Sequence, residues 1–219
     1  LTKVLAKRAK KVFSFEIDKS LKERLDIVEK EHENVTIFYE DFIKADLSKI
    51  LMENQKIKVV ANIPYYITTP IIFKLVENIK NISSILVLVQ KEVAERFASK
   101  HSTKDYGITS VILQSLFDVT MPRVVKKECF TPSPKVDSAL CLLVPHNYYK
   151  IDDFEGFKNF VHVSFSMRRK TLTNNLKKLY DKDKILLAVK ELGYEETVRP
   201  EQIDVKNFIE LFKKLNKNG

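Results

Sequence analysis

Two short apolar runs decide the architecture open to this chain. Residues 57–61 are almost continuously apolar, and residues 84–89 repeat the pattern. Such strands need cover on both faces, as they have in sheets flanked by helices. Strand patterns at 12–17, 35–39, 119–125 and 138–144 surround them. Helical spacing at 1–11, 20–31, 70–78, 91–99 and 106–117 fills the gaps. Strands alternating with helices predict an α/β fold with a mainly parallel sheet.

After Pro145 the character changes. Residues 152–219 are helical throughout in pattern, with breaks near Asp181 and across 193–200. A boundary is expected at 147–151, giving domains 1–148 and 149–219, and 219 residues suffice for two cores. No apolar run reaches the roughly 18 residues that cross a bilayer. The basic, amphipathic start lacks the apolar centre and cleavage site of a secretory signal. Cys129 and Cys141 have neither metal-ligand spacing nor nearby histidines, so no metal is expected and a reduced, cytoplasmic setting fits.

The net charge of +9 favours a polyanion, though an anionic membrane surface would also attract it. Its distribution is more telling. Between Gly156 and Tyr180 lie Lys158, Arg168, Arg169, Lys170, Lys177 and Lys178, with no acid. The Arg168–Arg169–Lys170 run is expected on a helix, either as a solvated face or as a phosphate contact.

In doubly wound sheets ligands bind at the carboxyl ends of strands. Three successive predicted strands end near a polar group, Glu16, Asp41 and Asn62. That order suits a nucleotide-like ligand, with one carboxylate for ribose hydroxyls and one for an adenine amine. Taken singly, Glu16 is equally a helix N-terminal acid and Asp41 a turn residue. The run Asn62–Ile63–Pro64–Tyr65 is sharper. An exocyclic adenine amine is a poor nucleophile because its lone pair is delocalised into the ring. The Asn62 oxygen and Ile63 carbonyl could draw it towards tetrahedral geometry, with Pro64 stiffening the turn. Tyr65 could stack on an extruded base. Alternatively the four residues simply end a strand, with Tyr65 in the core.

Longer segments extend the pattern. They are NIPYYITTPIIF (62–73), VQKEVAERF (89–97), KDYG (104–107), FTPSPKVDSA (130–139) and FSMRRKTLTNNL (165–176). In this order they closely resemble the KsgA family of small-subunit rRNA adenine dimethyltransferases, across essentially the whole chain. The related Erm family, acting on large-subunit rRNA, shares the NIPY-type run but is less similar over the middle segments. The resemblance implies a Rossmann-like class I methyltransferase sheet plus a small all-α C-terminal domain. It also implies S-adenosylmethionine as cofactor and the immature small ribosomal subunit as partner, without membrane or metal. Glu16 would bind the cofactor ribose, with Ile17 beside its adenine. Asp41 would accept from the adenine amine, with Phe42 and Asn62 also at the cofactor. Asn62 and Ile63 would orient the target amine, and Tyr65 would stack on its base. Phe130 would close the base's other side, or else be a core aromatic. Arg168, Arg169, Lys170, Lys177 and Lys178 would contact RNA.

Family members carry, ahead of the position of Leu1, a first strand and a glycine-rich loop at the methionine end of the cofactor. Gly107, Gly156, Gly193 and Gly219 cannot form that loop. The chain is therefore expected to be a fragment without the first strand, with two unpaired inner strand edges and weak cofactor binding. The rival readings are an Erm-like enzyme and a non-catalytic RNA-binding assembly or transcription factor on the same fold.

Overall fold

The computed structural model describes residues 1–51 and 56–216. The predicted helical segment that runs to Gly219 therefore has its last three residues outside the described ones. Contacts divide the chain into two compact units, 1–57 with 66–82, and 58–65 with 83–219.

The first unit is built on β1 (Val12–Phe15) and β2 (Val35–Phe38), paired in parallel with Val12 opposite Val35 and Phe15 opposite Phe38. Side chains alternate across a strand, so this register sorts them into two layers. Val12, Val35 and Ile37 pack with Ala6 of α1 (Thr2–Ala6) and Leu25 of α2 (Lys22–Glu31). On the other face Phe13, Phe15 and Phe38 pack with Ala45, Leu47 and Ile50. Phe15 and Phe38 stack across the strands at 4.9 Å. The unit also contains α3 (Thr68–Val76), which buries Ile72, Leu75 and Val76.

A four-stranded sheet runs β3–β4–β6–β5, from β3 (Ile57–Asn62), β4 (Ile82–Gln90), β5 (Phe117–Val125) and β6 (Ser138–Pro145). In β4, Ile85, Val87 and Val89 are fully buried, as are Ala139, Cys141 and Leu143 of β6. Burial pushes the Cys141 thiol up to about 12, so it is an inert core residue. Strand β6 is antiparallel to both β4 and β5. The sheet is therefore mixed, with β4 and β5 running the same way and β6 against them. No crossover helix separates β5 from β6, and without one a parallel return is not available. The β1–β2 pair and the four-stranded sheet are separate among the described residues.

Helices α4 (Lys91–Ala98) and α5 (Ile108–Gln114) cover this sheet, burying Ala94, Phe97, Val111, Ile112 and Leu113. Helices α6 (Phe154–Ser164), α7 (Leu172–Leu176), α8 (Lys182–Glu191) and α9 (Val205–Asn216) follow. Phe157, Phe160, Phe208 and Phe212 form their aromatic centre. The helices belong to the second unit, whose parts Tyr106 ties together. Its hydroxyl donates to the Ile203 carbonyl at 2.9 Å, and its ring meets Phe165 edge-on. The two packing units thus follow a different line from the predicted boundary at 148.

Candidate cofactor and base-binding residues

In the first unit, Glu16, Ile17, Asp41 and Phe42 all lie just beyond the carboxyl ends of the adjacent parallel strands β1 and β2. The Glu16 N–H donates to the Phe38 carbonyl at 3.0 Å, carrying the β1–β2 pairing one residue past the strand. One Glu16 carboxylate oxygen accepts from the Asp18 N–H at 2.8 Å, which orients the group. Asp18 then caps the 3-10 turn Lys19–Leu21 through Ser20, and that bond holds its carboxyl below the usual range. The chain therefore turns away immediately after Ile17. This leaves an apolar side chain 62% exposed beside an oriented carboxylate. Asp41 accepts from the Ile43 N–H at 2.9 Å, and its carbonyl accepts from Lys44 and Ala45. Phe42 packs edge-on against Phe15 at 5.2 Å, so its ring braces the strand ends.

Neither carboxylate forms an ion pair with a described residue. Two acceptor groups and an exposed apolar side chain on neighbouring strand ends match the hydroxyls, amine and ring of an adenosine. They fit the nucleoside half of S-adenosylmethionine.

In the second unit, Asn62 ends β3 and is exposed, and its side-chain amide has no hydrogen-bond partner among the described residues. Ile63 is 3% exposed, and its N–H donates to the Leu88 carbonyl at 3.3 Å. This buried anchor fixes the backbone between the exposed Asn62 and Pro64. Tyr65 is half-buried, with its hydroxyl 2.7 Å from the Ser138 hydroxyl. Ser138 is fully buried at the start of β6, in register with Gln90 of β4 and Val125 of β5. The tyrosine ring is thus pinned by its far end to the four-stranded sheet.

Phe130 lies in the loop between β5 and β6, half-buried and without a ring contact to a described aromatic residue. The loop closes at Asp137, which accepts from Lys126 Nζ at 3.0 Å and from the Lys127 N–H at 3.1 Å. These bonds hold its carboxyl below the usual range. Its carbonyl accepts from the Lys91 N–H. Sequence reasoning missed both Asp137 and Ser138 as supports. The signal available was the DS pair opening a buried strand directly after the proline-rich loop.

Arg168, Arg169 and Lys170 lie on a turn between α6 and α7, which corrects the expectation of a helix. The cause is Asn175, whose side chain takes over hydrogen bonds of the chain leaving α6. All three cations are exposed, as are Lys177 and Lys178 after α7, and none of the five pairs with an acid among the described residues. Lys158, counted with them in the sequence, instead pairs with Glu155 at 2.6 Å. The described residues contain no group of three or more His, Cys, Asp or Glu placed to hold a metal ion, and no helix long and apolar enough to cross a membrane.

The profile of the family described as ribosomal RNA adenine dimethylase matches residues 1–217. The ribosomal RNA small subunit methyltransferase A of Clostridium acetobutylicum is 41% identical over 212 residues, spanning 95% of this chain and 76% of that protein. Its namesake in Ligilactobacillus salivarius is 41% identical over 233 residues, spanning 100% and 78%. Among solved structures, a dimethyladenosine transferase from Plasmodium falciparum superposes with a TM-score of 0.83 at 25% identity, covering 99% of this chain and 86% of that one. The 23S rRNA methyltransferase ErmE superposes with a TM-score of 0.75 at 25% identity, covering 98% and 86%. The chain belongs to the ribosomal RNA adenine dimethylase family.

Proposed function

We propose that this protein dimethylates the N6 amines of two adjacent adenosines in the 3′-terminal hairpin of small-subunit rRNA. It acts on the immature subunit late in assembly, in the cytoplasm. The observation that carries this reading is the exposed, unpartnered Asn62 amide at the end of β3, three residues before a tyrosine pinned by Ser138. Family membership and the small-subunit relatives at 41% identity favour the small subunit over the large.

S-adenosylmethionine supplies an electrophilic methyl group. Glu16 would hold its ribose hydroxyls, Ile17 would contact its adenine, and Asp41 would accept from the adenine amine, with Phe42 bracing that turn. The Asn62 side-chain oxygen and the Ile63 carbonyl accept from the target amine, pulling the nitrogen lone pair out of conjugation. Tyr65 stacks on one face of the extruded base and Phe130 on the other. No strong base is required, because the amine proton becomes acidic only after nitrogen gains its fourth bond, and it then passes to solvent. Residues 1–148 carry this chemistry and 149–219 dock the RNA. Arg168, Arg169, Lys170, Lys177 and Lys178 contact phosphates and fix position rather than read sequence.

Glu16→Gln removes the charge from two hydrogen bonds to the ribose. Charge-assisted bonds are worth about 1.5–3 kcal/mol, so cofactor affinity should fall by about one to two orders of magnitude in calorimetry. Unchanged affinity would remove Glu16 from the site. The reading itself is tested by giving the protein small and large ribosomal subunits separately, with methyl-labelled cofactor. Label should enter only the small-subunit rRNA. Label in the large subunit alone would replace this reading with the activity named for ErmE.

A further inference from the structure

Helix α7 carries a fully buried asparagine. Asn175 is 0% exposed and lies on the same helix face as the buried Leu172 and Leu176, at a spacing that otherwise calls for an apolar side chain. A buried amide costs stability unless its hydrogen bonds are met. Here each polar atom is used. Asn175 Nδ2 donates to the Ser164 carbonyl at 2.6 Å and to the Met167 carbonyl at 3.4 Å. Its Oδ1 accepts from the Met167 N–H at 3.1 Å and from the Ser166 hydroxyl at 3.4 Å.

One side chain therefore grips both backbone groups of Met167, as a neighbouring strand would. Met167 is the residue immediately before Arg168. Its carbonyl also accepts from the Lys170 N–H at 3.0 Å, closing the turn that holds the three cations. On the far side, the Thr171 hydroxyl caps α7 by accepting from the Asn174 N–H at 3.3 Å. The turn is thus fixed at both ends while Arg168, Arg169 and Lys170 stay exposed and unpaired among the described residues. The bonds to the Ser164 carbonyl and from the Met167 N–H end α6, and the further bond to the Met167 carbonyl fixes the point from which the cations project.

We infer that Asn175 is a positioning residue for RNA docking, holding the Arg168–Lys170 turn in its phosphate-binding shape before the subunit arrives. This rests on the reading of that turn as an RNA contact. Pre-ordering the turn spares the entropy that three long cationic side chains on a loose loop would lose on binding. Disordering it scatters the charges, so fewer phosphates are neutralised together.

The experiment measures affinity for small ribosomal subunits between about 50 and 200 mM salt, where each phosphate contact adds ~0.7–0.9 to the slope of log affinity against log salt. Four proteins are compared at a temperature where all are folded: unmodified, Asn175→Ala, the triple variant R168A/R169A/K170A, and the two combined. The triple variant should lower the slope by about 2. Asn175→Ala should lower it nearly as much with cofactor affinity unchanged, and the combination should be no worse than the triple variant. A residue that only stabilised the domain would leave the slope of the folded variant untouched. A normal slope in Asn175→Ala beside a reduced slope in the triple variant would overturn this inference alone. A normal slope in the triple variant would overturn the RNA-contact reading, and the inference with it. Should Asn175→Ala not fold, amide exchange at Met167 in the unmodified protein decides the matter. Protection equal to that of α7 supports the grip, and exchange at the rate of an open loop overturns it.

Discussion

Asn62→Ala should lower the methyl-transfer rate by about 10²–10³-fold, the cost typical of removing one preorganised group that stabilises a transition state. Fold and subunit binding should hardly change. The side chain is exposed and bonded to no described residue, so its removal leaves no cavity and no orphaned partner. Surface substitutions of that kind shift stability by about 0.5 kcal/mol or less, against the ~2.7–4 kcal/mol expected in the rate. The two effects are therefore separable. Single-turnover transfer with saturating protein and cofactor reads the chemistry, and thermal melting with subunit pelleting reads the rest. Transfer at the unmodified rate would remove Asn62 from the mechanism.

The second large effect falls on stability. Phe160 is fully buried, with ring centroids 5.5 Å from Phe212, 6.1 Å from Tyr180 and 6.3 Å from Phe208. Phe160→Ala should cost about 3–5 kcal/mol through lost burial and the cavity left behind. That is a large share of the roughly 5–15 kcal/mol separating folded from unfolded states. Leu187 is 61% exposed on the neighbouring α8, and Leu187→Ala should cost about 0.5 kcal/mol or less. Denaturant unfolding of both variants checks the contrast. Equal costs would contradict the packing of α6 against α9. Because Tyr106 ties these helices to the rest of the unit, Phe160→Ala should also weaken RNA docking before it slows transfer at saturating substrate.

Local periodicity made most of this fold legible. The apolar run at 84–89 is the centre of β4, and the helix expected at 91–99 is α4 within one residue. Errors arose where a distant partner decided the outcome. The helix expected over 106–117 is shorter at both ends. Tyr106 turns to Ile203 across the core, and Phe117 already pairs with Pro145 in the β5–β6 ladder. The basic run looked helical because nothing in its own composition stops a helix, and the residue that stops it comes several positions later. The candidate site divides in the same way. Glu16, Asp41 and Asn62 were visible as polar groups at strand ends. The Ser138 hydroxyl that pins Tyr65 lies 73 residues away in sequence, so the Asp137–Ser138 pair could mark a support but not name its partner.

The most direct test is mass spectrometry of the 3′-terminal rRNA fragment from small subunits that lack dimethyladenosine. The subunits are incubated with cofactor and the full-length protein, either unmodified or carrying Asn62→Ala. Two adjacent N6,N6-dimethyladenosines should appear with the unmodified protein, and about 10²–10³-fold more slowly with the variant. Tight subunit binding by the unmodified protein with no methylation would contradict the account and leave an RNA-binding assembly factor in its place.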